Sequence, residues 1–167
     1  MKRIVFASML IAFFSVNFVP LSTAEMAKEG SASGKAYYSS TWNMLPLGKA
    51  YVQINYEARG VSVSDNKADP FHHAGGQCIG AMKIVKGAIN EFGLCTYTRP
   101  DGDKIFMSYE ATGQMGKGVN GTFNFVGGTG KCEGMSGNGE FRRIPLKGPA
   151  EGIGASMSTS TYRWKIP

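Results

Sequence analysis

Polar and apolar residues change places at every step through Tyr51-Val52-Gln53-Ile54-Asn55-Tyr56. The same period returns in Thr122-Phe123-Asn124-Phe125 and in Thr161-Tyr162-Arg163-Trp164-Lys165-Ile166. Side chains on a strand alternate between two faces, so a period of two calls for strands with one buried and one wetter face. No segment of a dozen residues carries an apolar stripe of helical period with caps at its ends, which excludes a helical domain. Short β-type segments cover approximately residues 36–44, 49–59, 60–64, 77–85, 91–98, 104–112, 119–126, 137–144 and 156–166. Short turns are expected near 70–75 and 128–135.

Turn chemistry joins these segments as consecutive antiparallel pairs. Arg99-Pro100-Asp101-Gly102-Asp103 is a turn in which Pro fixes φ and Gly accepts a positive one. Lys86-Gly87 separates two β runs at hairpin distance. All 23 glycines follow residue 24, about one residue in six against an average near 7%. Glycine at strand ends suits sharply bent strands closing on themselves. The fold class is therefore all-β: a single eight-stranded antiparallel β-barrel, with a β-sandwich as the alternative.

The hairpin also addresses the three cysteines, Cys78, Cys95 and Cys132. With Lys86-Gly87 as a two-residue turn, Cys78 faces Cys95, Gly80 faces Gly93 and Met82 faces Glu91. Directly opposed positions come within reach of a disulfide. The expectation is a Cys78–Cys95 bridge with Cys132 free.

Residues 1–24 read as a cleaved signal peptide: Lys2-Arg3, an apolar run from Ile4 to Val19, then Pro20 and the small residues Ser22-Thr23-Ala24. The run is too short and too interrupted by Ser8, Ser15 and Asn17 to be a comfortable membrane span. Export to the periplasm or the extracellular space follows, and it favours cysteine pairing. Removing 24 of 167 residues leaves 143, enough for one domain with its own core. Residues 25–35 read as a flexible leader and 36–167 as the barrel. Loss of Lys2 and Arg3 lowers the formal charge from +6 to +4. The remaining basic residues are scattered apart from Arg142-Arg143, so the concentrated basic face of a nucleic-acid partner is absent. No later segment is apolar enough to span a membrane.

Thr122 to Phe141, TFNFVGGTGKCEGMSGNGEF, is the most distinctive stretch. It is not a phosphate loop: Phe125 stands where the first Gly is needed, and Cys132 replaces the Ser or Thr. The pattern GGTGK-x-x-G-x-x-G-x-G between two strands resembles the signature of allene oxide cyclase-like and dirigent-like β-barrels, most of all their small secreted bacterial members. Leu94-Cys95-Thr96-Tyr97 before the Pro-Asp-Gly turn, Phe106-Met107-Ser108-Tyr109-Glu110 and Ala111-Thr112-Gly113 fit the same group. The resemblance covers most of residues 37–167. It implies an eight-stranded barrel with an apolar central cavity, used by characterised members to cyclise or orient hydrophobic intermediates, often as homo-oligomers. The early acidic residue of the plant cyclases has no counterpart in Ala36-Tyr37-Tyr38-Ser39-Ser40-Thr41-Trp42-Asn43, and the dirigent-type acid and arginine set is not matched at recognisable positions.

Candidate functional residues are correspondingly few. Glu57 and Glu110 lie on strands and, with Tyr109, are the candidates for acid–base work. Tyr38, Trp42, Tyr56, Tyr109 and Phe125 are candidate ligand-binding residues of an apolar pocket. His72-His73 beside Asp69 is read as a surface loop and not a zinc site, because adjacent residues on an extended chain point apart. No metal and no cofactor is called for. Asn120-Gly121-Thr122 is a glycosylation sequon. The leading functional reading is a barrel that binds a small hydrophobic molecule. The alternatives are a cofactor-independent cyclase or isomerase acting on an unsaturated lipid or polyketide-like substrate, and a packed interaction barrel of the envelope.

Overall fold

The computed structural model describes residues 26–64, 66 and 68–167; the signal reading of residues 1–24 lies outside them. Eight strands follow in chain order: β1 (Glu29–Pro46), β2 (Tyr51–Val63), β3 (Gly75–Val85), β4 (Ala88–Thr98), β5 (Lys104–Gln114), β6 (Gly118–Gly128), β7 (Ser136–Leu146) and β8 (Gly154–Lys165). Each pairs antiparallel with the next, and β8 pairs with β1, so the sheet is a closed barrel and not a sandwich. Among the described residues no helix is long and apolar enough to cross a membrane.

Two strand readings change. Segments 49–59 and 60–64 are one strand, because Gly60 continues the ladder opposite Tyr38. Glu29 to Lys35, read as part of a flexible leader, is the first third of β1 and pairs with β8 from Thr159 to Lys165. Their small and polar side chains give no strand signal. What orders them is the otherwise open edge of β8, whose backbone groups need partners.

The β3–β4 hairpin turns on Lys86 and Gly87, both at positive φ, the geometry of a type I′ turn. Its register sets Cys78 opposite Cys95, Gly80 opposite Gly93 and Met82 opposite Glu91. Cys78 and Cys95 are disulfide-bonded, and Cys132 is a free, buried thiol.

One end of the barrel is capped by the β2–β3 connection. Asp69, Pro70, Phe71 and Ala74 are buried there, so the segment read as a surface loop is a plug. Tyr162 donates to Asp69 Oδ2 at 2.7 Å, the Phe71 amide donates to Asp69 Oδ1 at 2.8 Å, and Arg99 donates to the Pro70 carbonyl at 2.6 Å. Met26 and Ala27 lie against the same cap: Met26 is buried, the Ala27 amide donates to the Ala68 carbonyl, and the Trp164 indole donates to the Ala27 carbonyl at 2.9 Å.

The glycine-rich stretch serves this end. Thr129 exchanges backbone and hydroxyl hydrogen bonds with Lys104, and the Lys131 amide donates to Asp103 Oδ2 at 3.0 Å. Gly130 adopts φ +55°, and a Cβ there would overlap the Asp103 carboxylate. A 3₁₀ turn over Gly130–Cys132 then buries Cys132 and Met135 beneath the cap. The motif is a clasp between two connections.

The disulfide joins cysteines 17 positions apart, a loop length for which chain entropy predicts about 3 kcal/mol. The double variant Cys78→Ser/Cys95→Ser is expected to lose that much in urea unfolding. A loss under about 1 kcal/mol would show that the β3–β4 ladder alone sets the register.

Candidate functional site

Parity decides which side chains reach the interior. On β4, β5, β6 and β7 the odd-numbered residues face inward, and on β2, β3 and β8 the even-numbered ones do. Glu57 and Glu110 therefore face outward. Glu57 is paired with Arg59 at 2.7 Å and takes a hydrogen bond from Gln77, and Glu110 is exposed on β5. Neither carboxylate reaches the interior, which corrects their reading as an acid–base pair. Tyr109, beside Glu110 in sequence, points the other way and is buried.

Inside the barrel lies a cavity of about 530 Å³, within the size range of small-molecule sites. It runs from Phe71 in the cap to Trp42, Pro145 and the β5–β6 turn at Met115, where Trp42 and Met115 are exposed. Tyr38, Trp42, Tyr56 and Tyr109 lie on its wall. Phe125 does not. It packs below, with its ring centroid 5.6 Å from Phe71 and 5.5 Å from Phe123.

The polar feature of the cavity was not among the sequence candidates. Glu91 on β4 has a fully buried side chain, and both of its carboxylate oxygens are engaged. Tyr56 donates to Oε1 and Arg143 to Oε2, and the Tyr56 hydroxyl also meets that of Tyr109. Arg143 lines the cavity and Glu91 stands behind it. An acid and an arginine that no sequence motif marks thus meet across 52 residues of sequence. A second phenol pair, Tyr38 with Tyr97, sits on the same wall.

Glycine makes room for this cluster. A Cβ on Gly80 or on Gly93 would overlap the Tyr109 hydroxyl, and one on Gly80 would also crowd that of Tyr56. The opposed glycines of β3 and β4 are thus the floor on which the two phenols meet.

Burial governs the electrostatics. It raises Tyr56, with the Glu91 charge adding to it, and holds Tyr109 up at about 12. Burial also raises Tyr38 and, together with its Tyr38 partner, Tyr97. For Arg143 burial acts to lower the pKa, but the hydrogen bond and charge of Glu91 outweigh it, and the guanidinium is held charged above its usual range. His72 and His73 stack at 3.9 Å at the cap, and among the described residues no three His, Cys, Asp or Glu side chains come together as a metal site.

The phenols make the fold sensitive to alkali. In the unfolded chain a tyrosine loses its proton near pH 10, whereas folded Tyr109 keeps its proton to about 12. Between those values the native state binds more protons, so stability is complete below pH 10 and falls as pH rises. Each buried phenol subtracts roughly 1.4 kcal/mol per pH unit in that window. Circular dichroism and phenolate absorbance are expected to change together between about pH 10 and 12. Full ionisation of the tyrosines with the barrel intact would contradict this.

No protein-family model matches the chain, and no curated protein does. Among solved structures, the chain is similar to that of the pterocarpan synthase dirigent protein GePTS1, with a TM-score of 0.53 and 10% identity over 84% of this chain and 91% of that chain. At that identity the likeness is one of fold. The eight-stranded barrel is dirigent-like.

Proposed function

We propose that the protein binds a small, largely apolar molecule in its barrel cavity. The observation that carries this reading is the 530 Å³ cavity with aromatic walls and a small number of polar groups, the Tyr56, Tyr109 and Arg143 cluster among them, the usual make-up of a small-molecule site. Binding is favoured over catalysis because the buried acid is occupied. Glu91 has one oxygen on Tyr56 and the other on Arg143, and it does not line the cavity. A general base must reach the proton it takes. The packed-barrel alternative is disfavoured by the volume itself. Export belongs to the same proposal: the signal-like residues 1–24 point to it, and the Cys78–Cys95 disulfide is what an oxidising compartment maintains. The likeness to a dirigent barrel and the allene oxide cyclase-like glycine pattern are consistent with a ligand-holding cavity.

An uncharged fluorophore, N-phenyl-1-naphthylamine, tests the reading. It is expected to bind one per barrel and saturably, with a Kd of about micromolar. Ala58→Phe, which fills the cavity wall at a buried β2 position, is expected to weaken binding by at least about tenfold. Absence of saturable binding to the parent chain, or full binding by the filled variant, would sink the proposal.

Self-association is a second part of the proposal. Ile79, Leu94 and Phe92 are each about two-thirds exposed on the outer faces of β3 and β4, with Ile79 directly opposite Leu94. A contiguous apolar surface of this kind favours a second copy of the chain. Sedimentation velocity is expected to show an oligomer that Phe92→Lys dissociates. A parent chain that is monomeric at about 100 μM would remove this part and leave the cavity reading intact.

A further inference from the structure

We propose that Glu91, without touching the ligand, makes the cavity selective for an uncharged molecule carrying a hydroxyl group, which Tyr109 and Arg143 hold. The inference rests on the binding reading above and specifies the chemistry of the ligand.

The number of protons available fixes the direction of these hydrogen bonds. A carboxylate only accepts hydrogen bonds, and a phenol has one proton to give. Tyr56 gives its proton to Glu91 Oε1. The contact between the Tyr56 and Tyr109 hydroxyls then needs the proton of Tyr109. The phenols run in one direction, Tyr109 to Tyr56 to Glu91, and Tyr109 is left with an acceptor oxygen beside the cavity it lines. The Tyr38–Tyr97 pair has no carboxylate to orient it, so its direction is free and it discriminates little.

Arg143 supplies the complementary half. It donates to Glu91 Oε2 and lines the cavity with N–H groups to spare. A ligand hydroxyl satisfies both partners: its proton goes to Tyr109, and its oxygen takes an Arg143 N–H. A ketone has no proton for Tyr109. A carboxylate has none either: Arg143 is already matched by Glu91, and Lys35, the other cation at the cavity, is exposed, so a charge beside Tyr109 would be buried uncompensated. Glu91 is thus a positioning residue. It sets the proton direction through Tyr56 and cancels Arg143.

Displacement of N-phenyl-1-naphthylamine from the full chain at about pH 8 by decan-2-ol, decan-2-one and decanoate reads this selectivity. Decan-2-ol is expected to displace at concentrations at least about tenfold below decan-2-one, with decanoate the weakest. A cavity that is merely greasy would not separate the alcohol from the ketone. Glu91→Gln keeps an acceptor for Tyr56 but removes the charge that cancels Arg143. It is expected to shift the decanoate to decan-2-ol preference toward decanoate by at least about tenfold. Glu91→Gln/Arg143→Met, in which no buried cation is left unpaired, is expected to show no such shift. Parent protein that takes the ketone or decanoate as well as the alcohol overturns the inference without any variant, and so does an unmoved preference in Glu91→Gln. A fluorophore that fails to bind the parent chain removes the binding reading itself. A bound fluorophore displaced equally by all three removes only the choice of ligand.

Discussion

The structure depends on β1 being paired on both sides. Its first part, Glu29 to Ser40, runs against β8, and its later part, Lys35 to Pro46, runs against β2. That double pairing removes both edges of the sheet and leaves no strand open to another chain. It also creates an inside. Eight strands enclose a space only just wide enough for side chains to fill, so whether a cavity exists is decided by residue size along each inward face. Toward the cap, Phe125 and Trp164 on the strands pack in one cluster with Phe71 of the plug, and the interior is solid. Beyond it the inward faces carry Gly80, Gly93, Ser156, Ser158 and Ser160 opposite the tyrosines, and a void remains.

Placing an ion pair beside that void is an expensive choice. A buried Arg–carboxylate pair is no reliable source of stability, because desolvation consumes much of the attraction, and well-packed apolar residues often serve as well. Removing one member costs about 3–5 kcal/mol by leaving the other charge unmatched. Glu91 and Arg143 are therefore poorly explained as scaffolding. They are better explained by what they impose on their neighbours. The carboxylate gives direction to two phenols, and the guanidinium brings donors to the wall without net charge. The cap is built on the same economy. Asp69 is fully buried, and its oxygens are taken up by Tyr162 and the Phe71 amide.

Much of this was legible in the chain, including part of the site. The hairpin on Lys86-Gly87 by itself pairs Cys78 with Cys95 and Met82 with Glu91. Glu91 lies four residues from Cys95 on one strand, hence on the same face, so an inward cysteine pair implied an inward carboxylate. That signal favours Glu91 over Glu57 and Glu110, each of which directly follows a tyrosine that faces the interior. On a strand an adjacent residue is the one that points away. Arg142-Arg143 held the same information, since two consecutive strand residues cannot both face water when one face is enclosed. Phe125 shares its face with cavity residues but sits too near the cap to reach the void.

The amino-acid sequence by itself determined the strand period, the tight turns and the β3–β4 register with its disulfide, because each rests on residues close together along the chain. Tertiary structure alone decided three other things. Glu29 to Lys35 became strand because β8 offered an edge, Asp69 to Ala74 became a plug because a barrel has an end to fill, and Glu91 met Arg143 across 52 residues. Those outcomes depend on closure, which fixes the position of every inward side chain around the ring at once and leaves no local trace in the sequence.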